Sequence, residues 1–163
     1  MENAAAPEKA EWIVRLIAEI VDNTAWSVAF LPAAIGVTLG FAVGGPVGVA
    51  LGLIGLAVTG GALVWVASMY QNGQSVGKRI MGTQVVSAVD GRPLSWAANL
   101  IVRGILVKGL VVGIASQLTI GIFVLVNYLW PLWDANKQAV HDKMMSTYVV
   151  RLRTADSPSP FVF

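Results

Sequence analysis

Arg15, Glu19 and Asp22 are spaced i, i+4 and i+7, so a helix carries all three on one face, with Trp12 and Trp26 close to the same stripe. Ionisable groups on an apolar helix either pair at the membrane edge or work as a proton or cation site, because exposure to lipid costs several kcal/mol. Asp22 begins a run of 55 residues without Asp, Glu, Lys or Arg, which makes it the acid best placed for burial. Its predicted partner lies on another helix, with Asn99, Arg103 and Lys108 as candidates, whereas Arg15 is expected to engage Glu19 or the cytoplasmic strands. Asp134 and Asp142 are the other candidate acids for such a site.

Other chemistry is poorly supplied. The chain has no cysteine and a single histidine, His141, beside Asp142. Thiolate catalysis, disulfides and a cysteine or histidine metal cage are therefore excluded, and the expectation is no metal and no cofactor. In G73-Q-S-V-G77-K78-R79 the spacing of a nucleotide-binding loop fails, since Asn72 stands where glycine is needed and Arg79 where Ser or Thr should hold magnesium. Lys78 and Arg79 read instead as a turn and a basic anchor for anionic lipid headgroups. No serine nucleophile with a glycine elbow accompanies His141, so the chain is expected to be non-enzymatic. His141-Asp142 reads as a polar contact docking the tail.

Positioning these groups requires membrane-spanning elements. Of 163 residues, 56% are hydrophobic and only 12% charged, with mean hydropathy +0.70. Such a composition excludes disordered and nucleic-acid-binding chains. About 20 helical residues cross a bilayer, so the 55-residue window holds two crossings. Gly44, Gly45, Pro46 and Gly48 mark the turn between a first helix over 12–43 and a second over 47–69. Arg15, Glu19 and Asp22 interrupt the first apolar run and a basic leader is lacking, so this is expected to be a span rather than a signal peptide. A second window of 25 uncharged residues, 109–133, is read as a shorter or re-entrant pair, with 94–115 going out, 116–121 turning and 122–133 returning. Lys108 then needs a partner or must snorkel.

The predicted fold is thus all-α, three or four membrane helices in two hairpins, with a small cytoplasmic β-pairing between 82–95 and 146–153. Asp90-Gly91 suits a tight turn within the first of these segments. Residues 1–153 form one membrane domain and 154–163 a flexible tail. The eleven basic residues avoid the Gly45 turn, which predicts a multi-pass inner-membrane protein with a cytoplasmic N-terminus and C-terminus. Gly36, Gly40 and Gly44 on the first helix, and Gly48 and Gly52 on the second, recur every four residues and are predicted to pack helices closely, within the chain or between copies.

The ordered set R15-LIAEIV-D22, GQSVGKRIMGTQVV, DGRPLSWAANLIVRGIL and LWDANKQAVHDKMMSTYVV resembles the RDD family of small membrane proteins across roughly residues 12–150. Arg15 and Asp22 match the first two residues that name the family; Asp134 or Asp142 matches the third. The resemblance implies an inner-membrane location and a role in transport, with cation/proton antiport suggested for some members. Two functions from different classes follow: an accessory or transport-associated component of a membrane complex, or an oligomeric cation/proton transporter using Asp22. The expected partners are the lipid bilayer and either further copies of the chain or a larger membrane complex.

Overall fold

The computed structural model describes residues 8–152; the flexible-tail expectation for 154–163 lies outside the described residues. Helix α1 spans Trp12–Val43 and α2 Gly45–Ser68. A short helix α3, Val76–Ile80, leads into strand β1, Thr83–Ser87. Helix α4 covers Ala97–Leu118, α5 covers Ile122–Leu129 and continues as a tight turn through Leu132, and α6 covers Val140–Met144 before strand β2, Thr147–Arg151. Helices α1, α2 and α4 are long and apolar enough to cross a membrane; α5 is too short to do so alone.

Gly44 and Gly45 make the α1–α2 turn with φ of +69° and +60°, a backbone open to glycine and strained for other residues. Beyond the turn the two helices run together with backbones nearly touching. A Cβ on Gly36 would lie 2.7 Å from the Leu51 carbonyl oxygen and 2.8 Å from Gly55 Cα, and one on Gly40 would lie 2.5 Å from the Gly48 carbonyl oxygen. The contact pairs are therefore Gly36 with Gly55 and Gly40 with Gly48. Gly44 serves the turn instead, and Gly52 has open space, so these two depart from the packing expected of them. Gly55 takes the place the sequence reading gave to Gly52. Pro32 lies inside α1, and beside it the Ala33 N–H donates to the Thr59 hydroxyl of α2 at 2.8 Å, a substitute for main-chain bonding of the kind a proline disturbs.

The polarity of the molecule is inverted relative to a water-soluble domain. Large apolar side chains such as Phe41, 87% exposed, cover α1 and α2, while Glu19, Asp22, Thr59, Asn99, Arg103 and Asn127 are buried. That distribution suits helices whose outer solvent is hydrocarbon.

At the end of the molecule that carries α3 and α6, β1 pairs antiparallel with β2, with Val85 opposite Val149. Residues flanking Asp90-Gly91 fold back on β1, the Leu94 N–H donating to Val85 O at 3.1 Å. Before α1, Ala10 N–H donates to Val149 O at 2.9 Å, and Arg151 N–H to Glu8 O at 2.8 Å, so the start of the chain lines the other edge of β2. Ala10, Val85, Leu94 and Val149 form a small apolar core there. The sheet thereby ties together the chain before α1, after α2 and after α6.

Candidate functional site

The three acids of interest meet at the same end of the helices, Glu19 and Asp22 from α1 and Asp142 from α6. Asp22, in the third turn of α1, takes its partners from the segment after α2 and not from α4. Its Oδ2 accepts the Ser75 hydroxyl at 2.5 Å, its Oδ1 accepts the Gly77 backbone N–H at 2.7 Å, and Lys78 Nζ lies 3.4 Å away. The expected partner, Asn99, Arg103 or Lys108 of α4, is thus replaced by Ser75 and the first turn of the short helix α3. This segment can reach Asp22 only because Gly77 lacks a side chain: a Cβ there would sit 2.8 Å from the Ala18 carbonyl carbon. Lys78 also departs from its expected role. It is 5% exposed and its ammonium reaches Glu19 as well as Asp22, each at 3.4 Å, so it serves this cluster rather than lipid headgroups. Arg79 is half-buried, its Nε without a hydrogen-bond partner among the described residues.

Glu19 bridges two helices. One carboxylate oxygen faces Lys78 and the other pairs with Lys108 of α4, whose ammonium also stands 5.8 Å above the Tyr128 ring. The winding of α4 makes this possible. In an ordinary α-helix, about 100° per residue would leave Lys108 roughly 180° from Asn99. From Ala97 to Val112, however, α4 is a π-helix with i→i+5 hydrogen bonds. Spacings of four and five then align, bringing Asn99, Arg103, Lys108 and Val112 to one face. Asn99 uses that position to donate to Gln74 O at 2.7 Å, fastening α4 to the loop before α3.

The third acid, Asp142, is fully buried at the first turn of α6 between two arginines. Its Oδ1 accepts from Arg103 at 2.6 Å; its Oδ2 accepts from Arg15 and, at 3.1 Å, from the Ala139 N–H. Arg15 also donates to the Lys137 carbonyl. It therefore meets the α6 region instead of Glu19 or the strands. Burial alone would raise the Asp142 pKa. Arg103 and Arg15, joined by His141 whenever that ring is protonated, outweigh it and hold the carboxyl well below the ordinary range.

His141 is neutral, and donor-only groups fix its tautomer. Its backbone N–H donates to Asn127 Oδ1 at 3.0 Å, which orients that amide; the ring Nδ1, 2.9 Å from the same oxygen, must then be the donor. Arg103 donates to Nε2 at 3.0 Å. Burial lowers the ring's pKa from 6.5 to about 4, more than Asp142 restores. Asn127 escaped the sequence reading; its only signal was an amide inside the otherwise apolar 122–133 stretch. Ser75 and Gly77 were in view, but as a failed phosphate loop.

Asp134 stands apart from this network. It pairs with Lys143 at 2.5 Å and accepts the Gln138 N–H at 2.9 Å, capping the loop before α6. Of the two candidates for the third family acid, only Asp142 meets Arg15. Among the described residues no group of three or more His, Asp or Glu side chains converges as a metal site would require.

The cluster lies at the floor of a cleft of about 580 Å³ between α1 and α4, lined by Glu19, Asp22, Trp26, Tyr70, Arg103 and Lys108 among others. The Trp26 indole donates to the Tyr70 hydroxyl at 2.9 Å on one side of it. Burial, with the Asp22 carboxylate nearby, raises the Tyr70 pKa and keeps its hydroxyl protonated.

The residues of this site all fall within a stretch that matches a known protein family. A model of the RDD family matches residues 9–146. The chain is 30% identical over 90 residues to a protein named proline-rich antigen homolog from Mycobacterium tuberculosis (strain CDC 1551 / Oshkosh), covering 54% of this chain and 33% of that one. It is 26% identical over 87 residues to the proline-rich antigen of Mycobacterium leprae (strain TN), covering 52% of this chain and 30% of the other. The chain thus spans about a third of the length of the curated relatives it matches. No solved structure matches it. With the family match running from before α1 to the start of β2, and three long apolar helices facing outward, the chain belongs to the RDD family and is a multi-pass membrane protein.

Proposed function

We propose that the protein is a non-enzymatic accessory or transport-associated component of a membrane assembly, and that its charged cluster is a lock holding the cytoplasmic segments against the helix ends. One observation carries this reading: each buried carboxylate is already held by two or more donors. Asp22 has Ser75, Gly77 and Lys78, Glu19 has Lys78 and Lys108, and Asp142 has Arg15, Arg103 and Ala139. A carboxylate that cycles between proton-bound and cation-bound forms needs a vacant side, and none of these three is given one by its neighbours. In this reading the N- and C-termini face the cytoplasm at the inner membrane, and α4 and α5 form a second, shorter hairpin. The positive-inside distribution and the β2 contacts of residues 8–10 and 83–87 support that topology. Partners are further copies of the chain or a larger complex, and the apolar outer faces of α1, α2 and α4 are the surfaces offered to them.

A second reading, an oligomeric cation/proton antiporter using Asp22, is favoured by the cleft, which brings open volume to within reach of Glu19 and Asp22. Purification in mild detergent, with mass measurement of the intact assembly, separates them. A heterologous partner retained with the chain supports the accessory reading. A homo-oligomer that alone exchanges cations for protons in vesicles supports the other.

A further inference from the structure

We propose that the cleft between α1 and α4 is a binding site for an anionic phospholipid, its phosphate at the charged floor and its acyl chains rising between the two helices. The connected ion-pair network holds three carboxylates, Glu19, Asp22 and Asp142, against four cations, Arg15, Lys78, Arg103 and Lys108. His141 is neutral and does not alter the balance. All four cations are paired, yet the network keeps one net positive charge in a largely buried setting, where uncompensated charge is costly. Arg103, 3% exposed and lining the cleft, also has an Nε with no partner among the described residues. Lys108, whose side chain is 20% exposed, is the cation most open to the cleft.

The walls identify the anion as a lipid rather than a free ion. Beyond Asp22 and Lys108 the lining includes Trp26 on α1 and Leu110 on α4, and Leu100 and Ile105 add apolar surface beside the charged groups of α4. Helices α1 and α4 form no packed interface along this stretch, so in a bilayer the space between them is filled by hydrocarbon. A monoanionic phosphodiester carrying two acyl chains meets both requirements at once. This differs from a surface anchor at Lys78 and Arg79, because Lys78 is enclosed by Glu19 and Asp22. The inference does not depend on whether the protein is an accessory component or a transporter.

The test uses the full chain in mild detergent with phosphatidylglycerol, phosphatidylcholine or inorganic phosphate as probe, reading retained lipid by intact-mass measurement and the thermal midpoint. The expected result is that phosphatidylglycerol is retained and raises the midpoint, while phosphatidylcholine and phosphate do neither. Lys108→Gln should weaken that retention about tenfold, the factor for losing one charge-assisted contact of roughly 1.4 kcal/mol. Gly104→Leu provides a variant that leaves the charges alone. A Cβ there meets only the Asn99 carbonyl at an ordinary 3.4 Å, so the fold should survive while the side chain obstructs the cleft and abolishes retention. Equal effects of the two lipids, equal protection by phosphate alone, or unchanged retention in both variants would overturn the proposal.

Discussion

Arg15, in the first turn of α1, and Asp142, in α6, form a buried ion pair across 127 positions of sequence. Arg103 reaches the other oxygen of the same carboxylate from α4. One acid thereby fixes α1, α4 and α6 relative to one another. Lys78 does the same between α3 and α1 through Glu19 and Asp22.

Replacing Asp142 tests that closure. Asp142→Asn leaves two buried guanidinium groups facing a neutral amide, and breaking a buried pair from one side costs about 3–5 kcal/mol. Thermal unfolding in detergent should show a large loss. Arg15→Met together with Asp142→Asn should cost less than the sum of the single changes, because the two groups share one network.

The pH dependence follows from His141. Its folded pKa is lowered to about 4 from 6.5, so between those values the unfolded chain binds a proton that the folded chain does not. Stability is therefore fully present above pH 6.5 and lost as pH falls toward 4, by on the order of 3 kcal/mol. Midpoints measured across that window should fall with acidification in the parent and stay nearly flat in His141→Gln.

Much of the scaffold was legible because membrane helices announce themselves by the absence of charge. The bounds of α1, the turn at Gly44 and Gly45, and the pairing of 83–87 with 147–151 all follow from local composition or from the need to satisfy backbone groups. Partner choice was not legible. Asp22 meets Ser75 and the first turn of the short helix α3, 53–56 positions away, rather than the long helix α4, and nothing local in the sequence encodes such a contact. Lys108 was a candidate partner for Asp22, but it pairs with Glu19 instead, turned there by the π-helical winding of 97–112, since an α-helical winding would set it opposite Asn99. Gly52 continued the four-residue glycine repeat, yet the helices meet at Gly48 and Gly55.

The glycines provide a paired test of that last point. Gly48→Ala places a Cβ against the Gly40 carbonyl and should destabilise by about 1–3 kcal/mol, the usual cost of overpacking. Gly52→Ala enters open space and should leave the midpoint unchanged or slightly raised, since alanine is the better helix former. Equal effects of the two would show that α1 and α2 meet on a different face.

Topology is checked independently of stability. Reporter tags at Met1 and after Phe163 should both register on the cytoplasmic side, as an even number of crossings demands. A tag beyond Phe163 that reads outside would restore three crossings and place α6 away from the end that holds α3.

In the reading proposed above, Asp22 belongs to a structural lock and carries no ion. The direct measurement is cation-driven proton movement in vesicles containing the purified parent chain or Asp22→Asn, a change that keeps an acceptor for Ser75 and Gly77. Both proteins should fold, and neither should add exchange above protein-free vesicles. Exchange by the parent that disappears in a well-folded Asp22→Asn protein would contradict that reading.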